Sequence, residues 1–128
     1  MGDNIVYNTK QIKDFYSGHR RRWEEFYPSE RWVFEKIFSA SPSGWNMLDV
    51  GCACGGLGLA LCERFHLISY TGVDINKEAI AWAGKSRAFR IPATFITGDI
   101  VNLKLKNTYD IVTSLGCADW NLQTQKII

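Results

Sequence analysis

Three aspartates stand at or just after the ends of consecutive predicted strands. Asp49 lies at the end of the first strand, Asp74 closes the second, and Asp99 follows the third. In an open parallel sheet, ligands bind outside the carboxyl ends of the strands, so we expect the three carboxylates to line one crevice. Three acids at one sheet edge indicate a ligand that carries hydroxyl groups and positive charge.

A turn of small residues, Gly-Cys-Ala-Cys-Gly-Gly at residues 51–56, connects the first strand to the following helix. Small residues let the backbone turn sharply and approach a ligand closely. The helix N-terminus offers unpaired N–H groups and partial positive charge, which suit a carboxylate or a phosphate. Asp74 comes 23 residues after Gly51, where a carboxylate accepts hydrogen bonds from both hydroxyls of a ribose.

The segment ahead of this turn is predicted to be helical. Residues 8–27 carry apolar side chains at helical spacing, which predicts one helix capped by Asn8 or Thr9. Gly18 weakens the middle of this helix, so two shorter helices are the alternative. Pro28 is expected to end the segment, because proline disfavours helix in the residue before it.

A second helix is predicted over about residues 30–39, with Ser29 as its cap. Its inward-facing residues are predicted to be Val33, Phe34, Ile37 and Phe38. A turn at residues 41–44 marks the boundary that we predict between an N-terminal helical extension, residues 1–44, and a cofactor-binding α/β domain, residues 45–128.

From residue 45 onward, short apolar strands alternate with amphipathic helices. Strands are predicted over residues 46–50, 67–73, 93–97 and 110–114, and helices over about 56–65 and 76–88. Asn76 is predicted to cap the second of these helices, with Ala79, Ile80 and Ala83 facing inward. Such alternation produces parallel sheets with right-handed crossovers. The predicted fold class is therefore α/β, an open and mainly parallel sheet preceded by N-terminal helices. Residues 123–128 look like the start of a helix that is cut off, so we expect the domain to be truncated at its C-terminus.

Four segments resemble, in order and spacing, the motifs of class I S-adenosylmethionine-dependent methyltransferases. They are residues 48–55 (Leu-Asp-Val-Gly-Cys-Ala-Cys-Gly), 73–76 (Val-Asp-Ile-Asn), 95–100 (Phe-Ile-Thr-Gly-Asp-Ile) and 109–114 (Tyr-Asp-Ile-Val-Thr-Ser). The resemblance implies a Rossmann-like methyltransferase sheet, of which this chain holds the first four strands. It also implies S-adenosyl-L-methionine as the cofactor and methyl transfer as the reaction.

The resemblance further implies which residues bind the cofactor. They are Asp49, Gly51, Cys52, Ala53, Asp74, Ile75, Asp99, Ile100, Ser114 and Leu115. Asp49 is implied to lie near the methionine ammonium, and the backbone of residues 51–53 to contact the methionine part. Ser114 and Leu115 are implied to face the sulfonium.

The other half of the cofactor is assigned in the same way. By resemblance, Asp74 holds the ribose hydroxyls and Ile75 packs on the adenine, while Asp99 accepts from the adenine amine beside Ile100. An Asx turn is the structural alternative for Asp99. The family commonly has glycine where this chain has Ala53, and alanine resists strained backbone angles, so a mildly different turn is expected there.

A nicotinamide-dependent oxidoreductase domain is one alternative function. Gly51, Ala53 and Gly56 fit the pattern G-x-[GA]-x-x-G, and Asp74 fits the ribose-binding acid of such domains. Asp49 argues against this function, because a pyrophosphate gains nothing from a carboxylate at the entrance of the turn. S-adenosylmethionine, in contrast, carries an ammonium and a sulfonium.

A non-catalytic scaffolding subunit that keeps the methyltransferase fold is the other alternative. A chain that ends after its fourth strand leaves an open sheet edge with unpaired backbone groups, as expected of a fragment of a longer protein. The three carboxylates argue against a purely structural role, since acids that face one cleft are unfavourable without a ligand.

No residue stands out as a general base, so the catalytic residues stay unassigned. The fourth strand ends without the Asn-Pro-Pro-Tyr sequence that the family uses on amino groups of bases and glutamine, and no Pro-Cys nucleophile is present. These features favour a small-molecule acceptor and leave nucleic acid and protein acceptors open. Trp120 is expected either to wall the acceptor pocket or to cap the sheet edge.

Charge and cysteine usage suggest neither a polyanionic partner nor a metal. Lys and Arg total 15 and Asp and Glu total 13, which gives a net charge of +2. The basic run at residues 19–22 is predicted to be a solvated helix face on which Arg20 pairs with Glu24 and Arg21 with Glu25. The four cysteines, Cys52, Cys54, Cys62 and Cys117, lack the spacing of zinc ligands and are predicted to be reduced packing residues.

Two further expectations concern single residues and cellular location. Trp23 is predicted to pack on the sheet, with a lid over the cofactor formed with Arg22 and Tyr27 as the alternative. His19 and His66 belong to no cluster and are predicted to be structural, exposed or partly buried. No apolar run is long enough to cross a membrane and no secretory signal is recognisable, which indicates a cytoplasmic location and leaves the oligomeric state undetermined.

Overall fold

The computed structural model describes residues 10–40 and 43–115. Within them, the helices are α1 (Lys10–Tyr16), α2 (Pro28–Ser39), α3 (Gly56–Arg64) and α4 (Lys77–Lys85), with a 3₁₀ turn at Trp23–Glu25. The strands are β1 (Trp45–Val50), β2 (Leu67–Asp74), β3 (Ala93–Thr97) and β4 (Ile111–Thr113). The predicted strands and the two helices between them are all present, so the fold class expected from the sequence is confirmed.

The four strands form one parallel sheet in the order β3-β2-β1-β4. Asp49 on β1 pairs with Gly72 on β2 and with Thr113 on β4. All carboxyl ends therefore meet at one edge, and β1, which carries the turn of small residues, lies inside the sheet. The order of the strands reverses at β1, since β2 and β3 lie on one side of it and β4 on the other. In parallel sheets, ligands bind in the crevice that forms at such a point.

Alternation along the strands separates two apolar clusters. Met47 on β1 and Tyr70 on β2 face the helices and pack with Phe34, Phe38 and Leu61. Leu48, Val50 and Val73 point to the opposite face, where the loop over residues 99–109 covers them. Each of these side chains contributes about 1.5–3 kcal/mol of hydrophobic stabilisation when fully buried, so together they hold the strand ends in place.

The N-terminal segment differs from the single helix predicted over residues 8–27. α1 ends at Tyr16, and the chain then passes through Arg20 in the left-handed region, at φ 54°. The carbonyl oxygen of Arg20 lies so close to Gly56 that a Cβ there would overlap it. This contact with the start of α3, together with Gly18, replaces the continuous helix by two short pieces, as in the alternative interpretation.

The start of α2 also corrects the prediction. Pro28 begins the helix instead of ending the previous one, because its missing N–H lies at the first helical position, where no hydrogen bond is needed. The N–H of Tyr27 donates to the Glu30 carboxylate over 2.8 Å and fixes this start. On the predicted inner face Phe34 and Phe38 are buried, whereas Val33 and Ile37 are exposed.

The two ion pairs predicted within the basic run do not form. Arg20 pairs with Glu30 at 2.8 Å, and the Arg21 guanidinium donates to the carbonyl of Cys54 over 3.0 Å. Both pairs assumed a continuous helix, which this segment lacks. The predicted cap of α4 is confirmed, since the Asn76 side chain accepts from the N–H of Ala79 over 3.0 Å.

Several further expectations concern single side chains. Trp23 packs edge-on against Phe65 at the end of α3, with ring centroids 5.5 Å apart, and lies against the apolar cluster on the helix side of the sheet, whereas direct packing on the sheet stays a prediction. His19 and His66 are exposed. Cys52 and Cys54 are buried free thiols, whereas Cys62 is a free thiol on the surface. Burial raises the pKa of Cys54 to about 11 and holds the pKa of Cys52 well above its usual value, which fits packing residues better than reactive thiolates.

Some expectations fall outside the described residues. These are the helix cap at Asn8 or Thr9, the first half of the turn at residues 41–44, Cys117, Trp120 and the helix predicted from residue 123. The division of the chain at residue 44 stays a prediction. In the described part of the chain, no helix has the length and apolarity needed to cross a membrane.

Candidate functional site

A cavity of about 810 Å³ opens at the carboxyl edge of the sheet. It is bounded by the ends of β1 and β2, the turn after β1, the loop at residues 98–100 and the N-terminal segment. Nine of the ten residues assigned to the cofactor line it: Asp49, Gly51, Cys52, Ala53, Asp74, Ile75, Asp99, Ile100 and Leu115. The structure thus brings the three predicted aspartates to one site.

Asp49 is the most deeply placed acid of the cavity, with 3% of its surface exposed. The phenol of Tyr70 donates to its Oδ2 atom over 2.6 Å, and the hydroxyl of Thr113 donates to Oδ1 over 2.9 Å. Burial raises the pKa of Asp49 to about 6, the two hydroxyls oppose this shift, and the negative charge of Asp74 adds to it. A cationic ligand would favour the charged form of this carboxylate.

Asp74 joins the end of β2 to the turn after β1. Its Oδ2 atom accepts from the N–H of Ala53 over 2.6 Å, and Oδ1 accepts from the N–H of Asn76 over 2.9 Å. Burial raises the pKa of Asp74, and these backbone donors lower it. Each carboxylate oxygen has a second lone pair, so the group can accept further hydrogen bonds from a ligand.

The turn after β1 has three residues in the left-handed region, Gly51 at φ 78°, Ala53 at φ 49° and Gly55 at φ 83°. The expectation that alanine would avoid such an angle at position 53 is wrong. The hydrogen bond from its N–H to Asp74 holds the residue there, against a cost of about 1–2 kcal/mol for a non-glycine residue. The turn therefore keeps its tight path despite the extra methyl group.

Asp99 forms the turn that was the structural alternative for it, and its contact with the adenine stays a prediction. Its Oδ1 atom accepts from the N–H of Val101 over 3.0 Å, which is the Asx-turn arrangement, and the residue also lines the cavity. The N–H of Gly98 donates to the carbonyl of Asp74 over 2.9 Å and ties this loop to β2. The loop is thereby held next to the second aspartate.

The end of β4 places two more assigned residues. Leu115 lines the cavity and is 39% exposed. The side-chain oxygen of Ser114 is buried and has no hydrogen-bond partner, a rare situation for a buried hydroxyl. Ser114 is the one assigned residue that does not line the cavity.

The N-terminal segment supplies an apolar part of the cavity lining, of which sequence reasoning considered only Tyr27. Ile12, Phe15 and Tyr16 from α1 and Phe26 and Tyr27 from the following segment line the cavity together with the aspartates. The guanidinium of Arg20 lies over the ring of Phe26 at 4.3 Å and over that of Tyr27 at 5.1 Å. The apolar spacing of residues 8–27 was the available signal, but it could not distinguish a cavity wall from packing on the sheet.

Tyr70 and Thr113 were also missed, because a polar side chain inside an apolar strand has no spacing signature. Of the three residues considered for a lid, only Tyr27 lines the cavity. Arg22 pairs with Glu63 at 2.6 Å, away from it. In the residues that the structure describes, no three His, Cys, Asp or Glu side chains come together in a way that could hold a metal.

A parallel sheet, a left-handed turn after its first strand and acids at successive strand ends define a Rossmann-like α/β fold. The family model described as "Methyltransferase domain" matches residues 47–127. The chain therefore belongs to the methyltransferase domain family.

Two curated relatives illustrate the similarity. Malonyl-[acyl-carrier protein] O-methyltransferase of Priestia megaterium is 24% identical over 118 residues, which cover 88% of this chain and 43% of the relative. Phthiotriol/phenolphthiotriol dimycocerosates methyltransferase of Mycobacterium leprae is 35% identical over 75 residues, covering 57% of this chain and 27% of that protein. The chain thus spans less than half the length of these relatives.

Solved structures share the fold. A protein assigned as an S-adenosylmethionine-dependent methyltransferase from Methanococcus maripaludis superposes with a TM-score of 0.72 at 18% identity, covering 94% of this chain and 55% of that one. An amino pentose methyltransferase from Micromonospora echinaspora, solved with S-adenosylmethionine bound, gives a TM-score of 0.64 at 22% identity, covering 93% and 48%. At these identities the likeness shows the fold alone.

Proposed function

We propose that this chain forms the cofactor-binding part of an S-adenosyl-L-methionine-dependent methyltransferase. The observation that carries the proposal is Asp49, a buried carboxylate at the head of the cavity that a cationic ligand group would neutralise. Family membership and the ligand bound to the Micromonospora protein support the choice of cofactor.

The residues of the cavity fit the two ends of this cofactor. Asp49 would accept from the methionine ammonium, and the backbone of residues 51–53 would contact the methionine part. Asp74 and Asp99 would accept from the ribose hydroxyls and the adenine amine, with Ile75 and Ile100 packing on the adenine. Ser114 and Leu115 would face the sulfonium, and the place of Leu115 in the cavity lining supports this assignment.

S-adenosylmethionine, when bound, supplies an electrophilic methyl group on a sulfonium. The protein's contribution is to bind and orient the two reactants and to exclude water, which alone removes several kcal/mol from a barrier. A general base is required only for an acceptor that must lose a proton, such as a hydroxyl or an ammonium. The described lining of the cavity contains no histidine, and its carboxylates serve the cofactor in this proposal.

The acceptor is proposed to be a small, largely apolar molecule. The aromatic side chains of Phe15, Tyr16, Phe26 and Tyr27 line the cavity and offer apolar surface for such a molecule. By their names, relatives act on malonyl-[acyl-carrier protein], on norajmaline and on phthiotriol/phenolphthiotriol dimycocerosates. The cytoplasmic location stays a prediction from the sequence.

Calorimetric titration of the chain with S-adenosylhomocysteine tests the proposal, with NAD as the competing ligand. Saturable binding of the first without the second is expected. Asp74→Asn should weaken binding about tenfold or more, because a hydrogen bond to a charged group is worth about 1.5–3 kcal/mol. Asp14→Asn, on an exposed position outside the cavity, is the matched control and should bind normally.

Each other outcome points to a different protein. Binding of NAD alone would replace the proposal by the oxidoreductase alternative. Binding of neither ligand would contradict the cofactor assignment and favour the scaffolding alternative. Equal affinity of the Asp74→Asn variant and the unmodified chain would remove Asp74 from the site.

A further inference from the structure

Two hydroxyl groups from different strands converge on one buried carboxylate. Tyr70 on β2 and Thr113 on β4 flank β1 on either side, and each donates to a different oxygen of Asp49, over 2.6 and 2.9 Å. Asp49, Tyr70 and Thr113 are all buried. Each oxygen of the carboxylate therefore has one fixed donor and one lone pair left for a ligand.

The Tyr70 ring is fixed by its surroundings. It is 1% exposed, stacks on Phe89 with centroids 4.9 Å apart, and meets Gly58, where an added Cβ would come within 2.5 Å of the ring. Gly72, the residue paired with Asp49, leaves the space that the Cys52 side chain occupies, and a Cβ added there would also lie 3.2 Å from the Tyr70 ring. These neighbours hold the ring where its phenol reaches Asp49.

Thr113 fixes the other oxygen. It stands directly opposite Asp49 in the pairing of β1 with β4, and β-branched side chains in strands have few accessible χ1 angles. Its hydroxyl also lies 3.5 Å from the carbonyl oxygen of Leu48. The carboxylate plane is consequently held from both sides by rigid groups.

We propose that Tyr70 and Thr113 are positioning residues that hold the Asp49 carboxylate in the orientation in which it binds a cationic amino group of the ligand. The inference rests on the proposed function, which supplies an ammonium group as that ligand group. Neither residue touches the reacting atoms in this scheme, because each acts through Asp49.

Their donors also favour the charged form of Asp49. Burial raises the pKa of this carboxyl to about 6 even with both hydroxyls in place. The other titratable groups that face it are Asp74 at the end of β2 and Cys52 in the turn, and neither carries positive charge. Across the cavity Arg20 pairs with Glu30, so the hydroxyls are the nearby groups that oppose protonation.

Tyr70→Phe tests the proposal because it removes only the phenolic oxygen. Loss of a hydrogen bond to a charged group corresponds to a rise of about one unit in the pKa of Asp49, to about 7. The affinity for S-adenosylhomocysteine, relative to the unmodified chain, should then weaken about fivefold more at pH 6 than at pH 8. Any change in the protonation of the ligand affects Tyr70→Phe and the unmodified chain equally. It therefore cancels when the affinity of the variant is divided by that of the unmodified chain.

Three comparisons separate positioning from general damage. Thr113→Val should reproduce the pH-dependent loss, whereas Thr113→Ser, which keeps the hydroxyl, should restore binding. Tyr109→Phe, on the opposite face of the sheet, is the matched control. Its affinity relative to the unmodified chain should be the same at pH 6 and at pH 8. 5′-Methylthioadenosine, which lacks the amino group, should bind Tyr70→Phe and the unmodified chain equally well.

The outcomes distinguish this inference from the proposed function. If the unmodified chain binds no S-adenosylhomocysteine, the proposed function fails and this inference falls with it. If the chain binds the ligand but the relative affinity of Tyr70→Phe is the same at pH 6 and pH 8, the positioning role alone is refuted. If Tyr70→Phe does not fold, the Thr113→Val and Thr113→Ser pair decides the question in the same assay.

Discussion

Asp49→Asn is expected to stabilise the fold at neutral and alkaline pH while abolishing its affinity for a cationic ligand. The substitution removes the charge and nearly preserves the shape of the side chain. Asp49 is 3% exposed, and burial holds its pKa at about 6 in the folded protein, against 3.8 for an unperturbed carboxyl. The charged form is therefore less favourable in the folded state than in the unfolded chain.

The size and sign of the effect follow from this difference in pKa. Between pH 3.8 and pH 6 the folded state holds more protons at Asp49 than the unfolded state, so stability falls as the pH rises through this range. The penalty is complete above pH 6 and amounts to about 3 kcal/mol for a rise of about two units. Asparagine avoids it but weakens one hydrogen bond, at a cost of about 1 kcal/mol, which leaves a net gain of about 2 kcal/mol at pH 8.

Urea denaturation at pH 8 and pH 5 measures the effect. The advantage of Asp49→Asn over the unmodified chain should shrink by about 1.4 kcal/mol on going to pH 5, because the native carboxyl is then largely protonated. Asp14→Asn, which changes an exposed carboxyl, should show no such convergence. If the difference in unfolding free energy between Asp49→Asn and the unmodified chain is the same at pH 5 and at pH 8, the argument is refuted. Such a result would mean that Asp49 does not take up a proton in this range.

Three further predictions concern the turn and its neighbours. Ala53→Gly should stabilise the fold by up to about 1 kcal/mol because glycine tolerates φ 49°, while Ala81→Gly on the exposed face of α4 should lose about 1 kcal/mol; denaturation midpoints that move in the same direction would contradict this. Gly56→Ala should lose about 2 kcal/mol or more, because its Cβ overlaps the carbonyl of Arg20, and an unchanged melting curve would show that the N-terminal segment does not pack there. Ser114→Ala should leave stability unchanged or raise it by about 1 kcal/mol and weaken the binding of S-adenosylhomocysteine; a loss of stability would reveal a structural partner of the hydroxyl.

The stability cost of Asp49 links the fold to its proposed function. A buried acid destabilises a protein unless a ligand or another group compensates its charge. The hydroxyls of Tyr70 and Thr113 compensate part of the cost, and a cationic ligand would supply the rest. A cationic ligand should therefore raise the stability of the chain by more than a neutral ligand that makes otherwise similar contacts.

Much of the sheet could be read from the sequence. β3 was predicted with its observed bounds, and Asn76, Ala79, Ile80 and Ala83 take their predicted places on α4. These elements are specified locally, by alternation along a strand, by a side chain that caps a helix and by apolar residues at helical spacing. The meeting of Asp49, Asp74 and Asp99 at one cavity followed as well, because parallel strands bring their carboxyl ends to one edge.

Contacts between distant segments decided the remainder. The helix expected over residues 8–27 is broken because its backbone at Arg20 packs on Gly56, which lies 36 positions further along the chain. Ala53 holds a left-handed angle that its own residue type disfavours because Asp74 accepts from its N–H. Residue types and their spacing determined the α/β sheet and its acidic edge. Only the tertiary structure decided which hydroxyls hold Asp49 and which aromatic side chains line the same cavity. These groups come from strands and helices that are adjacent in space and remote in sequence.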